Sequence, residues 1–163
     1  MKVVNKGMNM HKVPLSTARR GFTLVELMVV VVIMAILTMI AIPSYQEYAR
    51  RSRASQAQQE MLRLAVLLDR WKARNFNYKG FSTTTTTVAA NTSYPYTITI
   101  VDPDASNVAL TSGTAVGRNW AIKATTTDAR NYNFLLTSSS IRCKNKTQDN
   151  VSYTTCGTGS ESW

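Results

Sequence analysis

Very few residues of this chain could do chemistry. It has one histidine, His11, and two cysteines, Cys143 and Cys156. A nucleophile–histidine pair needs an imidazole inside the folded body. His11 lies instead in a basic stretch at the N-terminus. A Cys/His metal site needs more ligands than these. No catalytic residue, metal or cofactor is therefore expected, and the chain does not read as an enzyme. The chemistry that remains is of other kinds: a thiol pair, and one carboxylate, Glu26, set in an otherwise uncharged apolar run, residues 22–42.

A carboxylate inside an apolar helix costs about 2.5–3.5 kcal/mol on insertion scales, and such residues tend to be functional and partnered. Glu26 could lie near a helix end and snorkel to the interface. If the chain were cut between Gly21 and Phe22, a new α-amino group would stand four residues before Glu26, on the same helical face. Pairing with that amine, or with the amine of a neighbouring copy, is then open.

Three elements must position these groups. Residues 1–21 hold Lys2, Lys6, Lys12, Arg19 and Arg20 and no acid, so they read as a leader. The apolar run 22–42 would form a helix about 31 Å long, enough to cross a bilayer core. Basic residues ahead of it favour a cytoplasmic N-terminus and an exported body. A secretory signal has a shorter apolar core and a small-residue cleavage site. Ala41-Ile42-Pro43-Ser44 is a poor match, which leaves a signal anchor or a cut ahead of the run. Pro43 removes a backbone donor and marks an expected kink or weak point.

Beyond Pro43 the helical pattern resumes, over about 43–78. Met61, Leu64, Ala65, Leu68 and Trp71 form one apolar stripe. Arg63, Arg70 and Arg74 fall on another face, and Glu60–Arg63 and Asp69–Lys72 are placed to pair. The helix should end between Asn75 and Gly80. Arg50, Arg51 and Arg53 follow the span, as a solvated charged turn or as contacts to lipid headgroups or a neighbouring subunit's acid.

Residues 79–163 read as a β domain. Residues 82–93, with five threonines at 83–87, read as a connecting loop. Alternation predicts strands at 94–101, near Trp120–Ala124 and near Tyr132–Leu136, with shorter pieces at Ile141–Cys143 and Val151–Tyr153. The expected class is α+β: a long N-terminal helix on an antiparallel sheet of three to four strands, apolar on one face. Tyr96, Trp120, Tyr132 and Phe134 read as core rather than as a stacking platform. The export topology puts Cys143 and Cys156 in an oxidising compartment, where a pair is expected over two free thiols. The resulting loop, 143–156, would be a stapled, polar surface loop.

The chain carries a net charge of +10, half of it in the leader. That weakens a nucleic-acid reading drawn from charge alone. Arg118, Lys123, Arg130, Arg142, Lys144 and Lys146 could form a basic patch.

Gly21-Phe22-Thr23-Leu24-Val25-Glu26-Leu27 closely resembles the leader junction of type IV pilins, and Pro43 falls where those of this type carry a proline. The resemblance implies removal of residues 1–21 by a prepilin peptidase, N-methylation of Phe22, and registration of subunits by Glu26 against the Phe22 amine of a neighbour. It implies passage from the inner membrane, N-terminus cytoplasmic and body periplasmic, through the assembly machinery to an extracellular pilus of other pilins. Such fibres serve motility, adhesion or DNA uptake. The leader is longer than usual for type IVa subunits, so Met8 or Met10 could be the start instead of Met1. The cysteine-bounded tail resembles the pilin D-region. The segment Ile42–Tyr48 and the tail from Cys156 to Trp163 look most like PilE-type minor pilins, which help prime assembly. A major pilin and a type II secretion pseudopilin are the alternatives; against the latter, Asp102, Asp104, Asp128 and Asp149 are scattered and form no ligand-dense calcium loop. DNA is a further conceivable partner.

Overall fold

The computed structural model describes residues 21–83 and 85–163. The leader, with His11 and the alternative starts Met8 and Met10, lies outside the described residues.

Helix α1 runs Leu24–Asn75, with Pro43 inside it. Two compact units divide at Ala41/Ile42. In the first, every described residue is exposed, although its mean hydropathy reaches 2.9 over an 18-residue window. Thr23 begins the helix, its Oγ1 accepting from Glu26 N at 3.2 Å.

In the second unit α1 has a one-sided face. Its buried residues are Arg50, Ala57, Met61, Leu64 and Leu68, spaced at three, four and seven. Ala65 and Trp71, the other members of the expected stripe, are partly buried against the same core.

Six strands follow, each antiparallel to the next in simple chain order: β1 (Thr85–Val88), β2 (Tyr96–Val101), β3 (Ala121–Thr126), β4 (Asn133–Thr137), β5 (Arg142–Asn145) and β6 (Glu161–Ser162). Tyr96, Ile98, Ile100, Trp120, Ile122, Ala124, Phe134 and Leu136 meet the α1 stripe in the main core. The aromatic residues are thus core, with Tyr132 partly buried at its rim.

Several expectations are corrected. The threonine stretch is not all loop: Thr85–Val88 pairs with Tyr96–Thr99 as an edge strand, and Val88 packs on the core. β-Branched threonine suits a half-exposed strand, but a uniform run has no alternation to read. The short β6 was not expected either, and Val151–Tyr153 is not a strand. The sheet is also apolar on both faces. Val101, Ala121 and Leu135 point away from the main core and are covered by Val151 and Cys156. The tail is therefore more than a polar surface loop: it roofs the outer face of the sheet.

Two of three buried side-chain amides organise that tail, and the third ties the β3–β4 connection to α1. Asn133 Oδ1 accepts from Thr126 N, and its Nδ2 donates to the Asn145 and Lys146 carbonyls. Asn145 Nδ2 donates to Cys156 O at 2.8 Å and Thr158 O at 2.9 Å. Asn131 Nδ2 reaches back to Arg50 O. The disulfide Cys143–Cys156 closes the loop, with its Cα atoms 6.0 Å apart. Trp163 seals the β5 side, Nε1 donating to Cys143 O and Leu135 O and its ring standing edge-on to Phe134.

Candidate functional site: an apolar helical segment and a basic body

Two regions carry the residues singled out in the sequence. The first is the start of α1. Phe22 is exposed, Glu26 lies in the first turn, and no ion pair involves Glu26 among the described residues. Valines, leucines, isoleucines and methionines stand exposed all round it, from Leu24 to Ile42. A segment this apolar and this exposed has a partner outside its own chain.

The second is the body. Arg50 is neither solvated nor directed at lipid. It is buried, donating from Nε to Asp128 Oδ2 at 3.0 Å and from Nη1 to Glu47. Burial pulls the Arg50 guanidinium down, but the hydrogen bond and charge of Asp128, with those of Glu47, outweigh it and hold its pKa above the ordinary value. Arg51 pairs with the half-exposed Glu47, whose carboxyl is lowered first by the Arg51 hydrogen bond and also by Arg50. The acid sought in a neighbouring subunit is thus found in the same chain, on the β3–β4 connection. Nothing in the sequence flagged a pairing across 78 positions.

The Asp69–Lys72 pair does not form; Asp69 accepts from Tyr78 OH, and the Lys72 ammonium sits 4.8 Å over the Tyr78 ring. Glu60–Arg63 forms as expected, with both carboxylate oxygens engaged. Of the scattered aspartates, Asp102 is fully buried as an acceptor for the backbone N–H groups of Asp104, Val116 and Gly117. Asp104 accepts from Asn119. Each is engaged within the fold, like Asp128.

The six cations do not form one patch. Lys123 lies on the outer face, 4.6 Å over the Tyr153 ring. Arg142 lies over Trp163 on the other. Arg130, Lys144 and Lys146 come together with Arg51 in a groove of about 400 Å³ beside Tyr132. Both lysine ammoniums sit over the Tyr132 ring, at 4.6 and 5.3 Å. Lys144 also pairs with Glu161 at 3.3 Å, while Arg130 and Lys146 form no ion pair among the described residues. Glu47 also lines the groove, but its cations outnumber its acids and it favours anions.

A long N-terminal helix, apolar and unpartnered at first and then packed on an antiparallel sheet with a cystine-closed tail, defines a type IV pilin. Residues 16–42 match the prokaryotic N-terminal methylation motif, and residues 43–160 match the family described as type IV minor pilin ComP, DNA uptake sequence receptor. The chain belongs to that minor pilin family. No curated protein and no solved structure matches it. The resemblance to PilE-type subunits and this match agree on a minor type IV pilin, and neither a major pilin nor a secretion pseudopilin is favoured. Association with other pilins in a filament follows from the family.

Proposed function

We propose that this minor pilin is exported, processed and built into a pilus whose surface it equips to hold DNA. A prepilin peptidase cuts between Gly21 and Phe22, discarding residues 1–21, and Phe22 is N-methylated. Until assembly the segment 22–42 spans the inner membrane, N-terminus cytoplasmic and body periplasmic. The assembly machinery then draws it into the fibre, where it packs among the same segments of other pilins. Glu26 registers the subunit by pairing with the Phe22 amine of a neighbour, since a carboxylate in an apolar bundle needs such a partner. Pro43, lacking an N–H to donate, is the weak point of the helix. The role is structural, priming assembly and displaying the body, and not catalytic.

The observation that carries this reading is the pair of matches that together span residues 16–160, the longer of them to a family described as a DNA uptake sequence receptor. The groove of Arg130, Lys144 and Lys146 supports the DNA part, because phosphate contacts come from cations not already neutralised within the fold. Net charge alone carries little of it, since half lies in residues 1–21.

The test is DNA binding by the purified chain in neutral detergent, followed across salt concentrations. Affinity should fall steeply with salt, and the Arg130→Gln/Lys146→Gln variant should bind more weakly with a salt slope shallower by about two charges. Affinity for duplex DNA no greater than for a neutral polymer would remove the DNA reading and leave the pilin.

A further inference from the structure

Phosphate contacts hold DNA without reading it. A residue of a different kind stands elsewhere on the body, where α1 ends.

Phe76 follows the last helical residue, Asn75. It is 89 % exposed, more than any other large hydrophobic residue among the described residues, including those of the apolar segment. Its backbone is left-handed, with φ 58°. The position just past a helix is where glycine is common, because a side chain there strains the backbone. Phenylalanine is among the least suited residues for it. The protein thus bears two costs at one residue, and a glycine would relieve both. Left-handed strain of this kind points to a function for the side chain.

The residue is also firmly held. Phe76 N donates to Lys72 O at 2.7 Å. Immediately after it, Asn77 Nδ2 donates to Val116 O, Asn77 Oδ1 accepts from Lys79 N, and Tyr78 N donates to Gly117 O at 2.9 Å. The approach to Gly117 is so close that a Cβ there would stand 1.8 Å from Asn77 Oδ1. Lys79 Nζ donates to Gly113 O. The ring is therefore presented on a braced turn, not on a loose loop.

Its surroundings are cationic. Lys72 and Arg74 precede it in the last helical turn, Lys79 follows, and Arg118 comes next to the glycine that braces the turn. Neither Arg74 nor Arg118 forms an ion pair among the described residues. Lys72 and Arg74 complement the helix dipole; Lys79 and Arg118 are not in the helix and have no such purpose. An exposed apolar ring whose neighbours along the chain and across the turn include unpaired cations suits a polyanion with stacked apolar faces.

We infer that Phe76 is the base-contacting residue of this pilin, entering a step of duplex DNA while Arg74 and Arg118 hold the flanking phosphates. Proteins use exposed apolar side chains in this way to open base steps, and base–aromatic stacking tolerates many sequences. From Arg51 at the groove to Asn75 is 24 residues of helix, about 36 Å, close to one turn of B-form DNA.

This inference rests on the DNA reading, and one experiment separates the two. Binding of a 24-base-pair duplex by the purified chain in detergent is measured by fluorescence anisotropy for the natural chain, Phe76→Gly, Phe76→Tyr and Arg74→Gln/Arg118→Gln, with thermal melting of each. Phe76→Gly should raise the melting temperature yet weaken binding about ten-fold or more, with the salt slope unchanged. Phe76→Tyr should bind within about three-fold of the natural chain, and Arg74→Gln/Arg118→Gln should flatten the salt slope. Equal affinity of Phe76→Gly and a natural chain that binds DNA overturns the role of Phe76 and leaves the DNA reading intact. So does unchanged DNA binding with loss of incorporation into pili, which would make Phe76 a contact between subunits. A natural chain that fails to bind DNA overturns both.

Discussion

Two stretches of the same helix, residues 24–41 and 50–75, meet opposite fates. In the first, every residue is exposed, although nearly all are apolar. In the second, charged residues abound, yet a strip through Arg50, Ala57, Met61, Leu64 and Leu68 is buried against the sheet. Hydrophobicity alone therefore does not say what a segment does for its own fold. The second stretch spends its apolar residues within the chain, and the first keeps them for a bilayer or for other pilins. Every buried described residue lies at or beyond Arg50, so the body holds its whole core.

That contrast can be broken or sharpened by substitution. The largest effects on the body's stability should come from the buried strip. Met61→Ala, at a fully buried site, should cost about 2–5 kcal/mol in denaturant unfolding. Arg50→Ala strands Asp128, and should cost about 3–5 kcal/mol, while Arg50→Met with Asp128→Leu should recover much of it. Next comes the tail: Cys143→Ser/Cys156→Ser should lose roughly 3 kcal/mol, and reduction of the natural chain should do the same. On the exposed face, Glu60→Gln should cost only a few tenths of a kcal/mol. Smallest of all, Val31→Ala in the first stretch should leave the unfolding of the body unchanged. Destabilisation of the body by Val31→Ala would remove the contrast. Glu26→Ala should likewise spare the body and processing but impair incorporation into pili, as read from pilin content of sheared filaments.

How much of this could be read beforehand depends on how local each signal is. The strip Met61–Leu64–Leu68 was legible because its period is written in adjacent turns. Strands β2, β3 and β4 were legible from alternation about Ile98, Ile122 and Phe134. Strand β1 was not, since threonines in a row alternate with nothing. The second face of the sheet was missed because Leu135 and Val101 read as the odd members of alternating runs until Val151 and Cys156 are folded over them. Of the basic patch, three members assemble; the pleat puts Lys123 on the outer face, and Arg142, on the same face as Lys144, turns instead to Trp163. Arg50–Asp128 and the strained Phe76 depend on long-range packing and on a backbone angle, which composition does not carry.

Burial also leaves a mark on the body's titration. Burial pushes the Tyr96 phenol well above its usual range, with the Asp128 charge adding to it, and its hydroxyl donates to Tyr132 O at 2.7 Å. An acid whose folded pKa lies above its unfolded one favours unfolding as pH rises through the unfolded value, near 10 for tyrosine. Stability should therefore be lost in alkali from about pH 10 upward, and Tyr96→Phe should blunt that loss.

The account turns on the first stretch being made for a filament and on its start at Phe22. The most direct test is intact-mass and N-terminal peptide mass spectrometry of the native protein from sheared surface filaments. A chain beginning at methylated Phe22, with Cys143 and Cys156 joined, is the predicted result. An unbroken Gly21–Phe22 bond in mature protein would contradict it.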